Sequence, residues 1–336
     1  MADRRVLALD IGGTKLASAV VDAEGRTELL RVIPTRAEQG AEHVLGRAID
    51  LARRVLDEDR RSGGTVAAFG VATNGLTHED RVALAPSVAG WESLKIPSRL
   101  REAFPGMLVT TLNDVKAATL AESVWGALRE VDVGLYINLG TGIAAGITAN
   151  GQIFDGAHGA AGEIAYLVPT LEVLARQKAG HAPLEEVIGG RGVAAWASAE
   201  LGSAITMAEL MSVAPRQRRA FALRERLLDT VGLWVANVAI VVDPRRVVLG
   251  GGLVRSPEPV LQRVRHILAA AGPCPIEVAL AHFGADSALL GAGAAAHGAA
   301  SRPFDRRERV GEEVRLTSSL PSKGRPAPSV PAGTDR

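Results

Sequence analysis

The sequence predicts an α/β protein with a duplicated core, and three observations point to it. Short apolar runs that end in glycine turns alternate with longer segments of helical period. The stretch LALDIGGTK (Leu7–Lys15) is an apolar run closed by Asp10 and a Gly12-Gly13 turn, followed by a second apolar run, Leu16 to Val21. Further along, INLGTGIAAGITANGQI repeats the layout of LDIGGTKLASAVVDAEGRT: strand, glycine turn, strand, second tight turn, further strand. Two such units set two glycine turns against each other, with a ligand held between two lobes. Chance recurrence of glycine hairpins is the alternative.

The elements follow in order. After the opening strand pair, Asp22-Ala-Glu-Gly25 is a turn and Glu28–Ile33 a third strand. Val44, Leu45, Ala48, Ile49, Leu51, Ala52 and Val55 give residues 42–61 a helical spacing, ended by Gly63-Gly64. Val66–Ala72 reads as a buried strand, Asn74-Gly75 as a turn, and Val82–Leu84 as a short strand. Leu108–Leu112 is a strand that runs into Asn113-Asp114, and Val115–Trp125 a helix. Gly134–Leu139, the turn Gly140-Thr141-Gly142, Ile143–Ala149 and the hairpin turn Asn150-Gly151 come next. The glycine-rich segment Gly156–Gly162 leads to Glu163. Residues 170–190 lack a clear period. Helices are expected over Gly192–Leu201, Met207–Val213, Arg216–Val242, Pro257–Ala271 and Ser287–Ala300, and strands over Val247–Leu249 and Ile276–Leu280. Gly250-Gly251-Gly252 follows the first of these strands. From Ser301 the chain is rich in Arg, Pro, Ser and Gly with few hydrophobes, so 301–336 is expected to be a disordered tail.

Bulk properties narrow the class. The 336 residues, 47% hydrophobic and 22% charged, suit a soluble globular protein with ample core. A net charge of +1 gives no electrostatic case for nucleic acid or an anionic membrane. The single cysteine, Cys274, excludes an intrachain disulfide and any cysteine-cluster metal site. No signal peptide is visible and no apolar run has membrane-spanning length, so a cytoplasmic location is expected.

The glycine turn at Gly12-Gly13 has two readings. Glycines permit positive φ and bare backbone N–H groups, which can cradle a phosphate, while a carboxylate such as Asp10 holds Mg²⁺ beside it, usually through water. The same residues also make an ordinary hairpin. The G-x-x-x-x-G-K-[ST] phosphate loop is absent. Gly140, Gly142 and Gly146 miss the dinucleotide fingerprint by one residue and precede a strand, where that fingerprint needs a helix.

Taken together and in order, LALDIGGTK, LNDVKAATLAE (112–122), INLGTGIAAGI (137–147), GAHGAAGEIAY (156–166), PLEEVIGG (183–190) and VVLGGGLV (247–254) resemble the ROK family of bacterial sugar kinases and repressors. The resemblance covers roughly residues 5–300. It implies the two-lobed actin-like/hexokinase (ribonuclease H-like) ATPase fold with the active site between the lobes. The lobes are expected at residues 1–115, with helix 286–300 packing back on them, and 116–285. It also implies a homodimer.

Residue by residue, the resemblance implies a kinase that uses ATP and Mg²⁺ to phosphorylate a hydroxyl of a hexose or hexose-like acceptor. Asp114 is the expected general base; helix N-capping is its other reading. Asn113, Gly75, Glu163, Tyr166 and Glu185 fall at acceptor-binding positions. A carboxylate accepts several hydrogen bonds and so suits adjacent sugar hydroxyls. Glu186 beside Glu185 leaves that register open. Asp10 faces Mg²⁺ and the phosphates, with Gly12, Gly13, Thr14 and Lys15 around the terminal phosphates. Lys15 also reads as an exposed strand charge. Gly140, Thr141 and Gly142 match a second phosphate loop, and Gly250, Gly251 and Gly252 a segment beside the adenosine.

Three departures fall at the acceptor end. The family's G-E-x-G-H ends in a His that binds zinc and sugar, where this chain has Tyr166. The family's C-x-C-G-x-x-G-C cluster is missing from 167–183, and a structural zinc needs about four ligands, so no zinc is expected; His181 lacks partners for one. Thr73-Asn74-Gly75 and Ala85-Pro86-Ser87 replace the family's Pro-Gly and A-P-N, so Gly75 is kept while Ser87 stands for a sugar-contacting Asn. The expectation is therefore an acceptor other than plain glucose, a modified sugar or C7-cyclitol of secondary metabolism, with a zinc-free glucokinase as the alternative. The repressors' helix-turn-helix has no room before residue 6. A non-catalytic sugar sensor is disfavoured because Asp10 and Asp114 are both present.

Overall fold

The computed structural model describes residues 5–301 except 79, 86–87 and 176–180, so Ser87 and the expected tail from 302 onward lie outside the described residues. The chain opens with β1 (Arg5–Ile11), β2 (Lys15–Val21) and β3 (Thr27–Pro34), then α1 (Ala41–Arg61) and β4 (Val66–Thr73). A small hairpin, β5 (Leu76–Thr77) and β6 (Val82–Ala83), precedes α2 (Ile96–Ala103), β7 (Leu108–Asn113) and α3 (Asp114–Val124). The second half starts with β8 (Val133–Leu139), β9 (Ile143–Ala149) and β10 (Gln152–Ile153). Five helices follow: α4 (Leu171–Ala175), α5 (Pro183–Ile188), α6 (Gly190–Leu201), α7 (Met207–Met211) and α8 (Arg218–Val242). The described chain ends with β11 (Arg246–Gly250), α9 (Pro257–Ala271), β12 (Glu277–Leu280) and α10 (Ser287–Ser301).

The duplication is visible in the strand order. The first sheet runs β3-β2-β1-β4-β7 and the second β10-β9-β8-β11-β12. In each, a three-stranded antiparallel meander is extended by two parallel strands. β1 and its glycine turn therefore correspond to β8 and its glycine turn, and Asp10 corresponds to Asn138.

Alternation along the strands assigns the faces. Leu7, Leu9 and Ile11 of β1 join the core formed with α1 and α2. Val6 and Ala8 join the opposite core, formed with α3 and α10. Asp10 shares their parity and so emerges on the α3–α10 side at the end of β1. In the second sheet Leu135, Ile137 and Leu139 pack against α5–α9, whereas Tyr136 packs with Val115 and Ala118 of α3. The pair α3–α10 thus lies between the two sheets.

Close approach there depends on missing side chains. A Cβ at Gly70 of β4 meets the Ala292 carbonyl oxygen at 1.8 Å, one at Gly291 of α10 meets that of Ala117 at 1.7 Å, and one at Gly146 of β9 meets Thr119 Oγ1 at 1.9 Å. The buried Glu122 fastens the connection into α10, accepting hydrogen bonds from the amides of Ala127 (2.7 Å), His282 (2.7 Å) and Phe283 (3.2 Å).

Most expected elements appear within a residue or two. Three helices were not legible in the sequence: α2, α4 and α5. α2 spans only two turns, with Ile96, Pro97 and Leu100 as its buried residues. α5 is shorter still, and Pro183 occupies its first turn. Among the described residues no helix is long and apolar enough to cross a membrane.

Candidate active site

Asp10 and Asn113-Asp114 reach the same edge of the first sheet because β1, β4 and β7 are parallel and in register. Asp10 pairs with Ala72 and Ala72 with Leu112; Ile11 pairs with Thr73 and Thr73 with Asn113. The sheet delivers Asp10 and Asp114 to one end, where α3 begins.

Asn113, not Asp114, is the N-cap of α3. Its Oδ1 accepts from the amides of Val115 (2.9 Å) and Lys116 (3.2 Å), and its Nδ2 donates to the Gly75 carbonyl at 3.0 Å. This arrangement fixes the Asn74-Gly75 turn, where φ is +86° at Gly75 and a Cβ would meet Ala83 O at 2.6 Å. Asp114 is the first helical residue, its Oδ1 accepting from Val115 N at 2.8 Å. Desolvation pushes its carboxyl up to about 6, against the lowering effect of its backbone hydrogen bonds. A carboxyl poised near neutrality at a helix start suits proton acceptance.

Asp10 is buried. Burial, then the charge of Asp114, raise its carboxyl to about 7; Lys15 opposes and Asp286 adds to the rise. A divalent ion beside this carboxylate would offset both its burial and the charge of Asp114. The adjoining turn differs from expectation in its backbone: neither Gly12 nor Gly13 has a positive φ. Close approach favours glycine at 12, because a Cβ there lies 3.0 Å from Lys15 O. Its carbonyl accepts from Thr35 Oγ1 at 2.6 Å, and Gly13 and Thr14 are exposed at the tip. Lys15 Nζ donates to Ala285 O at 3.2 Å and lies 3.9 Å from Asp286, so it ties this turn to the start of α10.

In the second sheet, Gly140 N donates to Gly142 O at 3.0 Å and Gly190 N to Gly140 O at 2.9 Å. Glu185 Oε2 accepts from Ile143 N at 3.0 Å and leaves no room for a Cβ at Gly142, which would lie 2.6 Å away. Of the two adjacent glutamates, Glu185 turns inward to the Gly140–Gly142 turn and Glu186 turns outward, its Oε1 2.6 Å from His181 Nδ1. Gly251, with φ +91°, packs on the end of β8, a Cβ there meeting Leu139 C at 2.5 Å. The Gly250–Gly252 segment therefore sits beside the Gly140 turn. Asn138, the counterpart of Asp10, escaped the sequence reading; aligning the two repeats identifies it. Its Oδ1 would lie 2.8 Å from a Cβ at Gly251.

Glu163 comes from the glycine-rich loop. Gly162, with φ +91°, accepts from Ala145 N at 2.7 Å and from Ile164 N at 2.7 Å, which locks the loop end to β9. Glu163 is raised by burial first, then by Asp114, with Lys116 lowering it and Glu185 adding to the rise. Tyr166 is 40% exposed, at the rim. Burial raises its phenol, followed by the charges of Glu163, Glu185 and Glu92. The charges of Asp114, Glu163 and Glu185 thus act on one another and on Tyr166. Glu92, which accepts from Ala85 N at 2.7 Å, joins them from the first half of the chain; nothing local in the sequence marks it.

Two sheets of identical strand order, each with a glycine turn between the first two strands of its meander, define the actin-like ATPase fold. The sequence model of the ROK family matches residues 6–299, and the chain belongs to that family. It is similar to the N-acetylmannosamine kinase of Citrobacter koseri, 31% identical over 87% of this chain and 98% of the relative. It is likewise similar to the glucokinase of Halalkalibacterium halodurans, 27% identical over 87% and 95%. Among solved structures, the ROK hexokinase from Thermus thermophilus matches with TM-score 0.73 at 29% identity, over 88% of this chain and 98% of that one. A ROK family glucokinase from Streptomyces griseus in complex with glucose and AMPPNP matches with TM-score 0.69 at 26% identity, over 88% and 99%.

Proposed function

We propose that the protein is a sugar kinase that transfers the γ-phosphoryl group of ATP to a hydroxyl of a hexose or hexose-like acceptor. The observation that carries this reading is the delivery of two buried carboxyls, Asp10 beside its glycine turn and Asp114 at the start of α3, to one edge of the first sheet. Asp114 takes the proton of the attacking hydroxyl as its oxygen bonds to the γ-phosphorus; the bond from that phosphorus to the β–γ bridging oxygen breaks, and ADP leaves. Glu163, Glu185 and Asn113 orient the acceptor hydroxyls. The turns at Gly12–Lys15 and Gly140–Gly142 offer amides to the phosphates, and Gly250–Gly252 lies along the adenosine. Asp10 would hold Mg²⁺, and the ion would supply positive charge to neutralise the phosphates.

The acceptor reading rests on Tyr166. Its ring stands at the rim where the family resemblance implies a zinc-binding His, and it favours an acceptor whose hydroxyl pattern differs from glucose, a modified sugar or C7-cyclitol. The names of the relatives support N-acetylmannosamine and glucose as first candidates. An ADP-release assay across glucose, N-acetylmannosamine, other amino sugars and cyclitols tests both levels. Acceptor-dependent ADP release supports the kinase, and its absence throughout overturns the kinase in favour of a sugar-binding sensor. Ordinary efficiency on glucose with nothing better overturns the altered acceptor. A cytoplasmic homodimer remains part of the proposal, resting on the family resemblance; sedimentation of the purified chain tests the dimer.

A further inference from the structure

Lys116 is a buried lysine in the first turn of α3, two residues past Asp114, with its side chain only 8% exposed. An ammonium in that setting needs strong partners. It has two, both far along the chain: Nζ donates to Asp155 Oδ1 at 2.6 Å and to the Gly159 carbonyl at 2.7 Å. These bracket the first half of the glycine-rich loop. The second half is fixed by backbone, through Ala161 N to Asp155 O at 3.0 Å, Glu163 N to Ala160 O at 3.2 Å and Ala145 N to Gly162 O at 2.7 Å. Six of the seven residues from 156 to 162 are glycine or alanine, without a side chain able to hold this loop, and positive φ at Gly156, Gly159 and Gly162 adds to its freedom when untethered. The helix that carries Asp114 thus also grips the loop that carries Glu163.

We propose that Lys116 is a positioning residue for the acceptor site: by clamping Asp155 and Gly159 onto α3 it fixes the 155–163 loop, so that Glu163 is presented beside Asp114. The role of Glu163 in this statement rests on the kinase reading above; the clamp itself does not. Asp155 is the expendable end, being 63% exposed in its side chain, and Lys116 is the committed one.

Hydrogen exchange of the full chain tests the clamp without any acceptor. K116M, which keeps the aliphatic stem and removes the donors, is expected to speed exchange of amides 156–163 by about tenfold or more, with little change in β1 and β8. K116R, which donates to the same two oxygens, is expected to restore most of the protection. D155N, exposed and mild, is expected to give a partial increase and serves if K116M does not fold. Unchanged exchange at 156–163 in the folded variants overturns the clamp. Kinetics with D-glucose and N-acetyl-D-mannosamine as probes tests the positioning. For whichever probe the wild type phosphorylates, K116M is expected to raise acceptor KM about tenfold or more while ATP KM stays within about twofold. Faster exchange with unchanged acceptor KM, or equal losses in both KM values, overturns the positioning role. Wild type inert toward both probes counts against the kinase reading, and the exchange result then stands on its own.

Discussion

Asp10 and Asp114 leave parallel strands two ladder steps apart, and the charge of Asp114 adds to burial in lifting the Asp10 carboxyl to about 7. Strands lie about 4.8 Å apart, so β4 alone separates the strand that ends in Asp10 from the strand that runs into Asp114. The protein holds two acids that oppose each other's ionisation, and this relationship has consequences for stability as well as for chemistry.

Removing the Asp10 charge is expected to stabilise the metal-free protein. An acid raised in the folded state contributes stability below its unfolded value, near 3.8, and that contribution is lost as pH climbs through the folded value of about 7. D10N removes this dependence. Its advantage over wild type should be near zero at pH 4 and grow to about 2–4 kcal/mol at pH 8. Urea unfolding at several pH values without Mg²⁺ checks this, and D10N should also weaken binding of ATP with Mg²⁺. Equal stability of the two proteins at pH 8 contradicts it.

Asp114 must be ionised to take a proton, and burial holds it near 6. The rate of turnover is therefore expected to fall about tenfold per pH unit well below 6 and to level off above it. D114N keeps an oxygen for Val115 N and should preserve the helix start, while lowering kcat by about 10²–10⁴-fold with ATP binding nearly unchanged. A pH–rate profile and binding titrations on the inactive variant check both parts. Near wild-type turnover in D114N removes Asp114 as the base.

On the kinase reading, Glu185 joins the proposed acceptor side to the proposed nucleotide side through one bond, from Ile143 N to Oε2. Two substitutions separate its roles. E185Q keeps an oxygen for Ile143 N and loses the charge, so acceptor KM is expected to rise with ATP KM little moved. E185A frees the end of the Gly140–Gly142 turn as well. Losing such a bond costs about 0.5–1.5 kcal/mol, roughly 2–12-fold in ATP KM. Steady-state kinetics in both substrates reads the difference, and identical effects of the two variants on ATP KM contradict the link.

The parts of the site that follow from local pattern were legible in the sequence. Asp10 with its glycine turn, the Asn113-Asp114 pair and the Gly140–Gly142 turn all sit where a strand meets a turn, and strand ends carry a readable signature. The repeat of LDIGGTK in INLGTGI gave the duplicated core, although Asn138 was overlooked within it. What the sequence could not disclose depends on distant partners. Lys116 reads as one more polar residue on a helix until Asp155 and Gly159 are brought to it. The charge of Glu92 reaches Tyr166 only once the two halves of the chain fold together. The choice between Asp114 and Asn113 as helix cap turned on one residue of register, which a dipeptide of two good caps leaves undetermined. The preference for glycine at 12 arises from packing against Lys15 O and not from the sign of φ.

The same dependence on distant backbone makes α10 testable through its glycines. A Cβ at Gly291 falls 1.7 Å from the Ala117 carbonyl oxygen, and backbone cannot swing aside as a side chain does. G291A is expected to push α10 off α3 and cost about 1–3 kcal/mol or more. Gly298 lies on the same helix with nothing within 4 Å of its Cβ, so G298A is expected to gain roughly 0.5–1 kcal/mol from helix propensity alone. The pair controls for composition, helix and substitution type, leaving contact as the difference. Because Ala117 lies one turn from Asp114 on α3, G291A should also lower kcat beyond the loss of folded protein, whereas G298A should leave it unchanged. Denaturant midpoints and kcat measured on both variants check this, and equal stability of the two removes close α3–α10 packing as the reason for glycine at 291.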